Sequence, residues 1–190
     1  MKKKLFLNSC CGPCLAYPYD ALKDKYEITI YNTAPNIHPY NEYIERRDAL
    51  REYTKQINLP LIEDDYDIHE WFDYIKGDEN SFESLVKDKK NRCRLCYRLR
   101  LERTAKLAKE KGFELFSTTL LYSKYQYHDL IKKIGETIAE KYGLKFLYND
   151  FRTGWQKGID LYKPLGLYKQ KYCGCIFSIE ERYNKERAAV

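Results

Sequence analysis

Hydrophobic positions along the chain alternate between short apolar runs and stretches with a helical period. Four short apolar runs predict β-strands, at 4–9, 26–31, 114–119 and 144–148. Apolar residues at helical spacing predict helices over 41–57 and 94–111. A further helix is predicted after Ser123, which is three residues before Gln126 in the pattern of a capping box, and Gly143 is expected to end this helix.

This order of strands and helices predicts a Rossmann-like α/β fold, in which crossover helices join the strands of a parallel sheet. Ligands of such folds bind beyond the carboxyl ends of the strands. A chain of 190 residues fits one domain, which we expect to span 1–190. The sequence lacks both G-x-G-x-x-G and G-x-x-x-x-G-K-[ST], so the usual nucleotide sites are without their glycine cradle.

Composition is that of a globular protein, with 44% hydrophobic and 33% charged residues. Apolar runs are only a few residues long, whereas a membrane span needs roughly 20 residues. The basic start at 1–4 is not followed by the apolar stretch of a signal peptide. We therefore expect a cytoplasmic protein with no membrane partner.

Charge is segregated along the chain, whose formal net charge is +6. The segment 63–83 holds nine acidic residues against one lysine, and 87–103 holds eight basic residues against two acidic ones. Further lysines precede the last two cysteines of the chain, at positions 157, 163, 169 and 171. Tyrosines lie among these cations at positions 97, 162, 168 and 172. Cations interleaved with aromatic rings favour an RNA partner, although a solvated charged face remains open.

Seven cysteines are the feature that most needs a function, because structural disulfides are rare in a reducing compartment. They form three tight groups: Cys10, Cys11 and Cys14; Cys93 and Cys96; Cys173 and Cys175. Grouped thiols are typical of metal binding or redox catalysis. We therefore expect a shared site.

Each group has its own interpretation. Cys93 and Cys96 form a C-x-x-C pair at a predicted helix start, where backbone amides and neighbouring arginines favour the thiolate form. The first group contains C-G-P-C, the dithiol motif of thioredoxin-like proteins, but that function would leave five cysteines unused. Cys173 and Cys175 are separated only by a glycine, and a strained, easily reduced disulfide between them suits a transient catalytic pair.

Four thiolates from Cys10, Cys11, Cys93 and Cys96 would satisfy either tetrahedral zinc or an iron–sulfur centre. The spacing alone does not decide between the two metals. The remaining pair favours the cluster, because a cluster passes single electrons whereas a dithiol stores two.

Five ordered segments of the chain form a recognisable set: LNSCCGPC at 7–14, PNIHP at 35–39, RCRLCYRL at 92–99, FSTTLL at 116–121 and KQKYCGCIFS at 169–178. Together they resemble the cobalamin-independent epoxyqueuosine reductase family of the QueH type. The resemblance extends over essentially the full chain. It implies a Rossmann-like enzyme that reduces epoxyqueuosine in tRNA to queuosine.

The resemblance also implies a cofactor and the residues that hold it. A [4Fe-4S] cluster would be bound by Cys10, Cys11, Cys93 and Cys96, with a redox-active pair at Cys173 and Cys175. This set leaves Cys14 without a role. As an alternative to a metal-free disulfide, we hypothesise that Cys14 joins Cys173 and Cys175 as ligands of a second, mononuclear iron.

Several parts of this hypothesis stay open in the sequence. An electron donor is required but not identified, and the proton donor is open among His38, Asp64 and Asp65. Two alternative functions also remain, a zinc-stabilised RNA-binding module without catalysis and a nucleotide-dependent tRNA-thiolating enzyme.

Overall fold

A parallel sheet forms the centre of the protein in a computed structural model that describes residues 2–76 and 82–187. The strands are β1 (Lys3–Asn8), β2 (Tyr26–Asn32), β3 (Leu61–Glu63), β4 (Leu115–Thr118) and β5 (Lys145–Phe146). All the pairings are parallel and give the order β3-β2-β1-β4-β5. The expected α/β fold with a parallel sheet is confirmed.

Helices follow the strands and connect them. They are α1 (Gly12–Leu22), α2 (Tyr40–Gln56), α3 (Ile68–Lys76), α4 (Phe82–Lys87), α5 (Lys89–Glu110), α6 (His128–Tyr142), α7 (Trp155–Tyr162) and α8 (Ile176–Arg187). Short 3₁₀ turns occupy Thr119–Tyr122, Phe151–Gly154 and Lys163–Leu165. Among the described residues, none of the helices has the length and apolar character needed to cross a membrane.

The central strand is fully enclosed. Leu5, Phe6 and Leu7 of β1 have no exposed surface, since strands pair with β1 on both sides and helices cover both faces. Burial of such a side chain contributes roughly 1.5–3 kcal/mol. This explains why 4–9 appears in the sequence as an apolar run rather than an alternating pattern.

Most predicted elements are present, with corrections at their ends. The strand predicted at 144–148 is shorter, because only Lys145 and Phe146 pair with β4. β3 was not predicted, since its three residues are too few to show a period. The helix predicted over 94–111 begins earlier, at Lys89, where the Asp88 side chain accepts a hydrogen bond from the Asn91 amide.

The capping box predicted at Ser123 and Gln126 is wrong. Helix α6 begins at His128 after Tyr127, and no side chain caps this end. The Gln126 side chain accepts a hydrogen bond from the Tyr97 hydroxyl at 2.7 Å and is therefore engaged with α5 instead. The predicted end is confirmed, because Gly143 adopts the left-handed conformation with φ 66°.

The acidic and basic segments partly neutralise each other. Arg103 of α5 forms ion pairs with Asp64, at 2.9 Å, and with Glu70. Asp78 and Glu79 of the acidic segment lie outside the described residues. The opposite charges of the two segments are therefore partly paired with each other within the fold, and the charge pattern of the sequence reflects these contacts as well as surface charge.

Candidate metal and redox site

The first cysteine group lies at the point where the strand order reverses. β1 has β2 on one side and β4 on the other, and ligands of such sheets bind at the crevice formed there. Cys10 and Cys11 directly follow β1, and Cys11 is the residue before α1. Cys14 is in the first turn of that helix. The strand end and the helix start thus bring the three thiols to one place.

These three thiols form a compact group. Cys10 Sγ and Cys11 Sγ are 3.8 Å apart, and the sulfur atoms of Cys10, Cys11 and Cys14 all lie within 4.8 Å of one another. Hydrogen bonds from Cys11 and Cys14 hold the pKa of Cys10 well below its usual range. The same contacts raise the pKa values of the other two thiols. The group can hold a metal ion, and one of its members is already disposed to be a thiolate.

The C-x-x-C pair lies on α5, but not at its start. Cys93 and Cys96 follow Lys89 by one to two helical turns, so the free amides of the first turn do not face them. Burial raises the pKa of Cys93 to about 12 and also raises the pKa of Cys96. The expected thiolate character of this pair is wrong, because desolvation by burial outweighs the effect of the nearby arginines on both pKa values.

The last pair lies in the loop before α8. Cys173 is exposed, and its sulfur accepts a hydrogen bond from Gln126 Nε2 at 3.5 Å. Cys175 is half-buried beside Phe177 and approaches the Ser178 hydroxyl at 3.6 Å. Both thiols are free in the structure, as are the other five cysteines.

The three groups lie within electrostatic range of one another, but among the described residues only Cys10, Cys11 and Cys14 lie close enough together to hold one metal ion. The charges of Cys173 and Cys175 act on both Cys93 and Cys96, and Cys10 acts on Cys173. These interactions raise the thiol pKa values, as expected where several potential anions share one region. The first group also contacts the segment that leads to the last cysteine pair, since Gln170 Nε2 donates a hydrogen bond to Cys14 Sγ at 3.3 Å.

Two buried arginines lie among the thiols. Arg46 of α2 is 1% exposed, and its charge acts on Cys10 and Cys11. Arg100 of α5 is 3% exposed, and its charge acts on Cys10 and Cys96. Both cations are close enough to favour the deprotonated, metal-binding form of the cysteines.

The surroundings of Arg100 fit an anionic occupant. Its Nη2 donates to Asn8 Oδ1 at 3.1 Å, while its Nε has no hydrogen-bond partner among the described residues. Arg100 forms no ion pair with any carboxylate that the structure describes in residues 2–76 and 82–187. A buried cation needs a compensating charge. Thiolates bound to a metal would supply it, so the donor set fits a thiolate-ligated metal centre.

Hydroxyl groups at the end of β4 reach the same edge of the sheet, where they bind protein groups. Thr118 Oγ1 donates to Asn8 Oδ1 at 3.2 Å, and Thr119 Oγ1 donates to Ser9 Oγ at 3.3 Å. Ser117 bonds to the carbonyl of Leu147. These side chains position the strand ends.

Among the proton-donor candidates, His38 contacts the loop that carries the last cysteine pair. Its backbone amide donates to Gly174 O at 2.7 Å, and its carbonyl accepts from the Tyr172 hydroxyl at 2.6 Å. Burial lowers the pKa of its imidazole, which lies against Phe72 with ring centroids 5.2 Å apart. Asp64, in contrast, is bound to Tyr31 and Arg103 on β2 and α5.

The predicted aromatic surface for RNA is partly wrong. Tyr97 is 1% exposed and Tyr162 is 3% exposed, so neither ring is accessible to a base. Tyr168 and Tyr172 are half-buried, with their hydroxyls bound to Glu42 and to the His38 carbonyl. The lysines at 163, 169 and 171 are exposed. Cations rather than rings therefore dominate the accessible surface near the last cysteine pair.

The sequence interpretation missed four polar side chains that touch the cysteine-bearing segments. They are Arg46, Arg100, Gln126 and Gln170. For Arg46, the available signal in the sequence was its spacing from Glu42, which lies four residues earlier on the same helix. No local pattern marks the other three, because their partners are distant in the chain.

Comparisons with known proteins agree with this geometry. The profile of the family described as "Epoxyqueuosine reductase QueH" matches residues 5–181. The chain is 39% identical over 186 residues to the Epoxyqueuosine reductase QueH of Thermotoga maritima, covering 95% of this chain and 93% of the relative. It is 34% identical to that of Dehalococcoides mccartyi, covering 97% of both chains, and 36% identical to that of Histophilus somni, covering 98% and 76%. The chain therefore belongs to the epoxyqueuosine reductase QueH family of oxidoreductases.

Proposed function

We propose that this chain is an iron–sulfur-dependent enzyme that reduces epoxyqueuosine in tRNA to queuosine. The observation that carries the proposal is the compact group of Cys10, Cys11 and Cys14 at the switch point of a parallel sheet, beside two buried arginines whose charges act on its thiols. Family membership favours the reductase over the zinc-stabilised RNA-binding module and the tRNA-thiolating enzyme, because the relatives are named reductases.

The reaction balance requires the kind of groups that the site contains. Removal of the epoxide oxygen leaves an alkene and releases water, and it takes two electrons and two protons. Oxidation of two thiols to a disulfide supplies both electrons and both protons. We assign this role to Cys173 and Cys175, since Cys173 is exposed to an incoming substrate. An external reductant must then restore the dithiol.

A cluster would be held by Cys10, Cys11, Cys93 and Cys96. When bound, an iron–sulfur cluster supplies single electrons at a potential that depends on its net charge and its hydrogen bonds. Arg100 interacts with both Cys10 and Cys96, so it would lie near ligands from both segments. Its charge would compensate the thiolates and stabilise their deprotonated form.

As an alternative to the metal-free disulfide, we propose a mononuclear iron bound by Cys14 together with Cys173 and Cys175. Gln170 supports it, because its contact with Cys14 Sγ holds the last segment beside the first cysteine group. A Cys14→Ala variant tests it by iron and sulfide analysis. Loss of one iron with unchanged sulfide would support the second iron. An unchanged iron content would exclude Cys14 as a ligand.

The function is tested with protein purified without oxygen. Iron, acid-labile sulfide and zinc are measured per chain, and a visible spectrum is recorded before and after dithionite. The same protein is incubated with dithionite and epoxyqueuosine-containing tRNA, and the nucleosides are separated and identified by mass spectrometry. We expect about four irons and four sulfides, an absorption bleached by reductant, and conversion to queuosine.

The alternatives predict different results. Colourless protein with one zinc and no sulfide, unchanged after anaerobic reconstitution with iron and sulfide, would contradict the reductase and leave the RNA-binding module. Saturable ATP binding would instead support the tRNA-thiolating enzyme. Cys93→Ala is the matched variant for the cluster, and we expect it to lose both the absorption and the conversion.

A further inference from the structure

We propose that Arg46, anchored by Glu42, is a positioning residue that holds the 172–175 loop in place for the reaction. The inference rests on the proposed redox role of Cys173 and Cys175. It assigns a function to a buried ion pair on α2 that contributes no thiol to the site.

The guanidinium of Arg46 binds two successive carbonyl groups of the loop. Its Nη1 donates to the carbonyl oxygen of Cys173 and its Nη2 to that of Tyr172, both at 2.9 Å. The planar fork of arginine presents two donors in fixed geometry, which suits two neighbouring acceptors. The contact therefore fixes the backbone on which the Cys173 thiol is carried.

Glu42 fixes the fork in turn. Arg46 Nε donates to Glu42 Oε1 at 2.7 Å, and the two side chains are 1% and 11% exposed. The second carboxylate oxygen accepts a hydrogen bond from the Tyr168 hydroxyl at 2.6 Å. One ion pair thus holds the polypeptide on both sides of Gln170, whose amide contacts Cys14.

The opposite side of the loop is fitted closely to the same region. His38 binds Gly174 and Tyr172 through backbone groups. Gly174 has φ +128°, and a Cβ built there would lie 2.9 Å from Arg46 Nη1 and 3.2 Å from a side-chain carbon of Ile37. Only glycine fits this conformation and this approach. The loop thus has little freedom to move while Arg46 is in place.

The position of Arg46 also argues that it acts on the reaction rather than on tRNA binding. Its side chain is 1% exposed, so it offers no surface to a phosphate. Its charge acts on Cys10 and Cys11 while its hydrogen bonds hold Cys173. Arg46 therefore joins the first cysteine group to the last pair.

Amide hydrogen exchange and steady-state kinetics on the anaerobically purified holoenzyme test the proposal. In Arg46→Gln we expect exchange over 168–177 to rise at least about tenfold, because each hydrogen bond from a charged donor contributes roughly a factor of ten or more to an equilibrium constant. Exchange in β1 should not change. We expect kcat to fall by a similar factor, with the KM for tRNA unchanged.

Two further variants separate positioning from charge and from general stability. Arg46→Lys keeps the charge but lacks the fork, so intermediate exchange and intermediate kcat are expected. Glu42→Gln keeps Arg46 and should loosen the same segment by a smaller factor. Arg47→Gln is the matched control, because Arg47 is the next residue and pairs with Asp48 at the surface. It should resemble the wild type in both measurements.

The proposal is overturned if a folded Arg46→Gln protein keeps wild-type exchange over 168–177, or loses that protection with kcat unchanged. Wild-type behaviour of Arg46→Lys in both measurements would also overturn it. If Arg46→Gln does not fold, Arg46→Lys and Glu42→Gln decide by the same criteria. Failure of the wild-type enzyme to convert epoxyqueuosine would contradict the proposed function instead, and exchange would still report whether Arg46 holds the loop.

Discussion

Arg100 donates a hydrogen bond to the side-chain oxygen of Asn8 at 3.1 Å, and this contact joins the middle of α5 to the carboxyl end of β1. The same oxygen accepts a hydrogen bond from Thr118 at the end of β4. The helix that carries Cys93 and Cys96 is thereby fixed against the strand that leads to Cys10. A polar contact between buried groups sets the relative position of two cysteine groups that are distant in sequence.

Substitution of Arg100 should weaken metal binding. In Arg100→Gln the buried thiolates lose a compensating charge, and changes to groups that support metal ligands typically reduce metal affinity by about 10–100-fold. The measurement is iron retained per chain during competition with a chelator under anaerobic conditions. Arg98→Gln is the control, since Arg98 is exposed on the same helix. Equal iron retention in both variants would contradict an electrostatic role for Arg100.

Gly158→Ala should destabilise the fold through a steric clash. A Cβ at this position would lie 2.1 Å from the Tyr122 hydroxyl, which donates to the Trp155 carbonyl at 2.9 Å. Overpacking of this kind costs about 1–3 kcal/mol. Urea unfolding measures the loss. Tyr122→Phe removes the nearest clashing atom but keeps the ring carbon Cζ, 2.7 Å from the Cβ, so the double variant should be only partly relieved and slightly more stable than the sum of the two single effects predicts. Unchanged stability of Gly158→Ala itself would contradict the clash.

Asp20 should make stability depend on pH. Hydrogen bonds from Lys157 and then Lys23 lower the pKa of this carboxyl below its usual value of 3.8. Because the folded pKa is the lower one, the ionised carboxylate stabilises the fold above pH 3.8, and this contribution is lost as the pH falls through the folded value.

Asp20→Asn isolates this contribution. Its partners are 60% and 43% exposed, so we expect only about 0.5 kcal/mol at pH 7. Urea unfolding of the metal-free wild type and variant at pH 7 and at acid pH measures the difference. The difference should disappear at acid pH, and a constant difference across pH would show that it does not arise from the carboxylate charge.

Removal of lysines near the last cysteine pair should weaken tRNA binding. Lys169 and Lys171 are exposed beside Cys173. If each contacts a phosphate, Lys169→Gln/Lys171→Gln should reduce the slope of log affinity against log salt by about 2. Filter binding at several salt concentrations measures it. Lys3→Gln/Lys4→Gln removes the same charge at the amino end of β1, opposite the cysteines, and should leave the slope unchanged. Equal slopes in the two double variants would contradict this tRNA surface.

Elements with many consecutive residues of one pattern were predictable. The apolar run that became β1, the period of α2 and the glycine that ends α6 each depend on interactions within a short stretch of chain. β3 was not predicted, because it depends on pairing with β2. The start of α6 was predicted wrongly, because it depends on the contact between Gln126 and Tyr97. Local patterns do not contain such distant partners.

The distinction between local patterns and contacts between distant residues also applies to the candidate site. The sequence by itself determined the three cysteine groups, the resemblance that they carry, and the position of the first group after a buried strand, since motif spacing and apolar runs are local properties. Only the tertiary structure decided that the sulfur atoms of the first group lie within 4.8 Å of one another, and that Arg46 and Arg100 lie buried near the thiols. Burial and electrostatic pairing arise when remote segments pack together, so they became visible only in the folded chain.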